Sequence, residues 1–160
     1  MSYGDFAGAY DALTQDVDYK TQAEYLVHTL RDNGVDKGIL LDLACGTGSL
    51  CLELHQYGFD LIGVDESVDM LSIARSKIGE EDDILLLCQP MEELELYGTV
   101  DAVVCTLDSL NHLESLTQVK RVFEKVSFYL NPNGIFIFDV NTTYKHKNVL
   151  GDNTFIIEEP

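Results

Sequence analysis

Basic residues are scarce in this chain: 10 Lys and Arg stand against 28 Asp and Glu in 160 residues, a formal net charge of −18. Non-specific affinity for nucleic acid comes mainly from Lys and Arg displacing counterions from phosphates. No basic stripe runs along this sequence, so a nucleic-acid partner is not expected. The acidic residues are dispersed in short runs such as 80–83 and read as a solvated face that favours solubility. Long apolar stretches are also lacking, since none approaches the roughly 18 residues of a membrane span. The opening MSYGDFAGAYD has neither the basic start nor the apolar stretch of a secretion signal. A cytoplasmic chain without a membrane partner is the expectation. Metal-ligand spacing is missing as well. Cys45, Cys51, Cys88 and Cys105 lie in apolar sequence without a CxxC pair, and His28, His55, His112 and His146 are scattered. No metal is expected, and the cysteines read as buried free thiols.

What is present is an alternation. The length suits a single domain over 1–160, with an N-terminal arm and helix in 1–34, a core in 39–140 and an incomplete C-terminal part in 141–160. Apolar runs at Ile39–Leu43, Phe59–Val64, Ile84–Cys88, Val100–Cys105 and Ile135–Val140 read as central strands. Helical spacing marks Ser49–Tyr57, Ser67–Ile78 and Ser115–Leu130, with a further helix around Thr21–Arg31 and a last strand candidate at Thr154–Ile157. The pattern predicts an α/β fold: a doubly wound, mostly parallel sheet with helices on both faces.

The first strand runs directly into a glycine loop, ILLDLACGTG, residues 39–48. In such a sheet, ligands bind outside the carboxyl ends of the strands, where strand order reverses. A P-loop needs Lys followed by Ser or Thr after its last glycine, but Gly48 is followed by Ser49 and Leu50. A dinucleotide fingerprint needs Gly or Ala at the third position, where Cys51 stands, and Asp42 precedes the first glycine by four residues. A carboxylate within about 6 Å of a pyrophosphate costs on the order of a kcal/mol. For a ligand carrying an ammonium and a sulfonium beside an adenosine the sign reverses, which points to S-adenosylmethionine.

DLACGTG, residues 42–48, resembles the first motif of the class I S-adenosylmethionine-dependent methyltransferases, specifically small bacterial members of the methyltransferase-domain family. The resemblance covers most of the chain and implies the Rossmann-like methyltransferase fold, with its C-terminal strands missing here. It also implies that Asp42, Ala44, Cys45, Gly46 and Gly48 meet the methionine part of the cofactor, and that Asp65 bonds the ribose hydroxyls. Glu66 and Met70 are implied to flank the adenosine. After the third strand, Pro90 stands where the family often has an Asp facing the adenine amino group, which leaves Gln89 or Glu92 as a substitute acceptor and Met91 as the backbone contact to the adenine. VVCTLDSLNHL, residues 103–113, is similar to the fourth motif, so Cys105 and Leu107 are implied to lie under the sulfonium. Residues 6–19 are similar to the lid, with Tyr10 and Tyr19 facing the cofactor.

Methyl transfer by direct displacement asks the protein chiefly to align an acceptor and exclude water. Asp108 and His112 are the candidate catalytic bases if the acceptor must shed a proton. A small-molecule acceptor is expected. The alternatives are a non-catalytic methyltransferase-like binding or regulatory module and, further off, a nicotinamide-dependent oxidoreductase. With about 20 residues after Val140, too few for the family's closing helix and antiparallel strands, the chain is expected to be an incomplete protein.

Overall fold

The structure, a computed structural model, describes Tyr10, Thr14 and residues 16–79 and 82–151. The strand expected at Thr154–Ile157, part of the acidic run 80–83 and most of the N-terminal arm lie outside the described residues.

Five strands, β1 (Gly38–Leu43), β2 (Phe59–Asp65), β3 (Ile84–Cys88), β4 (Val100–Cys105) and β5 (Leu130–Phe138), form one parallel sheet ordered β3-β2-β1-β4-β5. The chain moves outward from β1 to β3 and then crosses to the far side of β1 for β4. Strand order therefore reverses between β1 and β4, as the doubly wound reading requires. Four helices cover the sheet: α1 (Tyr19–Asp32), α2 (Ser49–His55), α3 (Val68–Lys77) and α4 (Leu116–Tyr129).

The strands are mostly apolar because both faces of the sheet are covered. Leu40, Leu61, Ile84, Ala102 and Val104 pack with Leu26, Leu30, Leu54 and Ala74 of the first three helices. Leu41, Leu43, Val64, Val100 and Val103 pack on the other face with Val122 and Val126 of α4. Alternation along β1 thus places Asp42 on the same face as Leu40, beneath α2.

Polar residues cap the helices where the spacing predicts. Ser67 accepts from the Met70 N–H at 3.2 Å, and Ser115 forms a capping box with Gln118. Asp18 caps α1 by accepting from the Thr21 N–H at 3.0 Å, starting that helix two residues earlier than its apolar spacing suggests.

Two expectations need correction. The fifth strand does not run Ile135–Val140. It begins at Leu130, directly after α4, and ends at Phe138. Leu130 pairs with Val100, Ile135 pairs with Ala102, and Asn131–Gly134 bulge out between them with Asn133 at φ 67°. The Asn-Pro-Asn-Gly run, read as a helix stop, is an irregularity inside a strand. Cys88 is exposed, whereas Cys45, Cys51 and Cys105 are buried free thiols. It ends β3, which among the described residues is an edge strand.

Candidate functional site

The glycine loop leaves β1 in a backbone that ordinary residues avoid. Ala44, Gly46 and Gly48 take φ of 68°, 53° and 74°. Cys45 N–H donates to the Val64 carbonyl at 2.9 Å, which ties the loop to β2. Asp65, the last residue of β2, fastens it further. Its Oδ2 accepts from the Gly46 N–H and its Oδ1 from the Ser67 N–H, both at 2.9 Å. The two acids singled out from the sequence therefore belong to one construction at adjacent strand ends.

Asp42 is only 2% exposed. Burial raises its carboxyl from 3.8 to about 7, a hydrogen bond from Cys51 pulls the other way, and the negative charge of Asp65 adds to the rise. The Cys51 thiol donates to Asp42 Oδ2 at 3.2 Å. Its own ionisation is pushed well above the ordinary thiol range by its hydrogen bond with Cys45, by burial and by Asp42. Gly63 of β2 makes room for this group, since a Cβ there would stand 3.0 Å from the Cys45 sulfur and 3.2 Å from that of Cys51.

Two abutting hollows lie over the strand ends where the order reverses. A small one of about 30 Å³ is walled by Tyr10, Tyr19, Asp42, Ala44, Cys45, Gly46, Thr47, Ser49, Leu50, Thr106, Leu107 and Ser109. A larger one of about 400 Å³ continues from Tyr10, Ala44, Gly46 and Ser109 to Asp65, Glu66, Met70, Gln89, Met91 and His112. They share Tyr10, Ala44, Gly46 and Ser109 and form one trough with the volume of a small-molecule site. Among the described residues neither hollow is lined by Lys or Arg, and Glu66, Glu92 and Glu114 add to Asp42 and Asp65 along the walls, while Lys77 Nζ donates to two lining hydroxyls, Thr47 at 3.0 Å and Ser49 at 2.7 Å. Space at Gly46 is open, for an added Cβ there meets nothing within 4 Å.

Thirteen of the sixteen residues singled out from the sequence line this trough, and Gly48, Cys105 and Asp108 line neither hollow. Gly48 caps α2 and is small for packing, since its Cβ would meet the Ala74 Cβ at 3.0 Å. Cys105 is buried in β4, with its thiol pushed up to about 12 first by burial and then by the charges of Asp42 and Asp139. Asp108 accepts instead from the Asn141 side chain. Gln89 borders the trough, but both ends of its amide are taken: Nε2 donates to the Glu95 carbonyl at 3.1 Å and Oε1 accepts from the Glu95 N–H at 2.8 Å. Pro90 opens the short turn Met91–Glu93 at φ −68°, a place where its missing donor is not needed.

Glu92, which the sequence offers beside Gln89 as a substitute acceptor for the adenine, lines the trough, and so do Ser109, Leu113, Glu114 and Gln118, which were not anticipated. Gln118 Nε2 donates to Glu92 Oε1 at 2.9 Å, joining α4 to the turn after β3. A wider, open groove of about 880 Å³ lies outside that turn, against Arg121, Lys125 and Phe128 of α4. It lacks the glycine loop and the reversal of strand order, so the smaller trough is the better candidate despite its size.

The fold agrees with known proteins. A family model described as methyltransferase domain matches residues 40–134, more than half of the chain. YqeM of Bacillus subtilis (strain 168), named as a methyltransferase, is 39% identical over 97% of this chain and 62% of its own length. A crystal structure of an S-adenosylmethionine-dependent methyltransferase from Clostridium acetobutylicum ATCC 824 superposes with a TM-score of 0.86 at 36% identity, covering 99% of this chain and 65% of that one. The dTDP-3-amino-3,6-dideoxy-alpha-D-glucopyranose N,N-dimethyltransferase of Streptomyces fradiae is 29% identical over 85% of this chain and 53% of its own. The chain thus spans somewhat under two thirds of these relatives. With the motif, the strand order and the family match in agreement, this chain belongs to the class I S-adenosylmethionine-dependent methyltransferase family.

Proposed function

We propose that this chain binds S-adenosylmethionine in the trough and transfers its methyl group to the nitrogen of a small-molecule amine. The observation that carries the reading is the balance of charge: five carboxylates, Asp42, Asp65, Glu66, Glu92 and Glu114, line the trough against one ammonium at the loop, Lys77, which is engaged by Thr47 and Ser49, and this suits a cationic ligand and opposes a phosphate. Bound there, the cofactor supplies an electrophilic methyl carbon on a sulfonium. Asp42 faces its charged methionine part, the backbone at Ala44 and Gly46 lets it approach closely, and Asp65, besides accepting from the Gly46 and Ser67 N–H groups, accepts from the ribose hydroxyls with its remaining lone pairs. Met70, Met91 and Glu66 flank the adenosine, while Tyr10 and Tyr19 cover it. Leu107 lies on the side of the sulfonium, with Cys105 beneath.

Two observations favour an amine acceptor. The Streptomyces fradiae relative is named for dimethylation of an amino group, and the acidic walls attract an ammonium. An amine sheds a proton on methylation, and His112, on the trough wall, is better placed to receive it than Asp108, which is bonded to Asn141. A cytoplasmic location fits the four free thiols.

A second reading, a binding module without turnover, draws on the adenine side, where Gln89 is already engaged by Glu95. Titration calorimetry with S-adenosylmethionine and with NADH, followed by transfer of labelled methyl to panels of small amines, alcohols and thiols, separates the readings. Binding of S-adenosylmethionine alone, with label appearing on amines, is the expected result. Binding without transfer to any panel member would favour the module, and binding of NADH alone would overturn both.

A further inference from the structure

We infer that Asp139 and Asn141, just beyond β5, act as a clasp that positions the backbone at Leu107 and Asp108 against the sulfonium end of the trough. This rests on the proposed cofactor reading and adds two residues to it.

Leu107 and Asp108 are consecutive non-glycine residues in left-handed backbone, at φ 56° and 51°. Such a pair is strained and persists only where its surroundings hold it. The holding groups come from the segment just past β5. Asp139 Oδ2 accepts from the Leu107 N–H at 2.9 Å and Oδ1 accepts from the Asp108 N–H. Asp139 is itself fixed by donating its N–H to the Cys105 carbonyl at 3.2 Å. Asn141 completes the clasp: its side chain donates to Asp108, and its N–H donates to Asn111 Oδ1 at 2.7 Å.

The strained turn matters because of what it carries. Leu107 walls the small hollow together with Asp42. The Asp139 carboxylate reaches this wall directly, through its bond from the Leu107 N–H. Loss of the clasp lets the turn relax and moves the Leu107 wall. Loss of the Asp139 carboxylate also removes negative potential from the place where a sulfonium rests.

S-Adenosylmethionine and S-adenosylhomocysteine differ at the sulfur alone, so their relative affinity reports on this wall without any acceptor. Titration calorimetry on wild type, Asp139→Asn and Asn141→Ala with both compounds is the test, with 5′-methylthioadenosine as control. Both variants are expected to weaken S-adenosylmethionine at least threefold relative to S-adenosylhomocysteine, with the control changing less than twofold. A structural role elsewhere would weaken all three ligands together. Equal losses for the pair, or a ratio within 1.5-fold of wild type in both variants at one site per chain, would overturn the inference. Asn141→Ala keeps the charge, so it decides the question if Asp139→Asn does not fold. A wild-type chain that binds neither compound would overturn the cofactor reading, and the clasp with it.

Discussion

Cys51 donates its thiol proton to a carboxylate, Asp42, at 3.2 Å, in a position where both side chains are removed from water. An isolated buried carboxylate is a poor anion, which is why burial lifts Asp42 to about 7. Near neutral pH the empty site therefore holds Asp42 partly protonated. A cationic ligand prefers the ionised form, so cofactor binding and proton release are linked. Affinity for S-adenosylmethionine is expected to rise as pH increases through 7, by about tenfold between pH 6 and 8. Titration calorimetry at both pH values checks this, and Asp42→Asn should flatten the dependence.

The same carboxyl makes the empty protein less stable than it need be. Its folded pKa of about 7 lies above its unfolded value of 3.8, so between these values the native state binds the additional proton. Stability from this group falls as pH rises through that window and levels off above 7. The displacement corresponds to on the order of 4 kcal/mol at pH 8. Asp42→Asn is expected to raise the melting temperature of the unliganded chain at pH 8 while weakening cofactor binding. Thermal denaturation at pH 5 and 8 tests the sign, for the gain should shrink at pH 5.

Replacement of the thiol donor shifts the same titration in a predictable direction. The Cys51 hydrogen bond lowers Asp42, so Cys51→Ala should move the pH midpoint of cofactor binding upward. Cys51→Ser retains a donor and offers a stronger one, so it should move the midpoint downward. Truncation to Ala also leaves a void under α2, costing on the order of 1 kcal/mol. Opposite shifts in binding-versus-pH curves are the expected result, and equal shifts would mean that the thiol acts only by filling space.

Much of this was legible before any coordinates. Strands buried on both faces are continuous apolar runs, and β1 to β4 stand where those runs are. Asp42 and Asp65 were legible because each ends or nearly ends a strand beside the glycine loop. What was hidden depends on how distant segments meet. The start of β5 was obscured because Asn131–Gly134 has the residues of a turn and the backbone of a bulge. The capture of Gln89 by Glu95 requires the path of the chain between β3 and β4. Asp139 had one faint signal, an acid immediately after the apolar run Ile135–Phe138. Its partners at Leu107 and Asp108 lie about 30 residues away, in backbone that no local spacing reveals.

The two loop glycines are expected to separate stability from binding. A methyl on Gly48 would stand 3.0 Å from the Ala74 Cβ, against α3, at a φ of 74° that alanine resists. Gly48→Ala should therefore destabilise the fold by about 2 kcal/mol, combining backbone strain with overpacking. A methyl on Gly46 meets nothing within 4 Å, so its cost to the fold is the strain of φ 53° alone, about 1 kcal/mol. That empty space belongs to the trough, and a cofactor that packs against the loop needs it. Gly46→Ala should keep a melting temperature close to wild type and lose S-adenosylmethionine affinity by tenfold or more. Gly48→Ala should melt earlier, with affinity at low temperature changed far less. Paired thermal melts and titrations decide the matter, and a Gly46→Ala protein that binds as wild type does would place the cofactor elsewhere than against this loop.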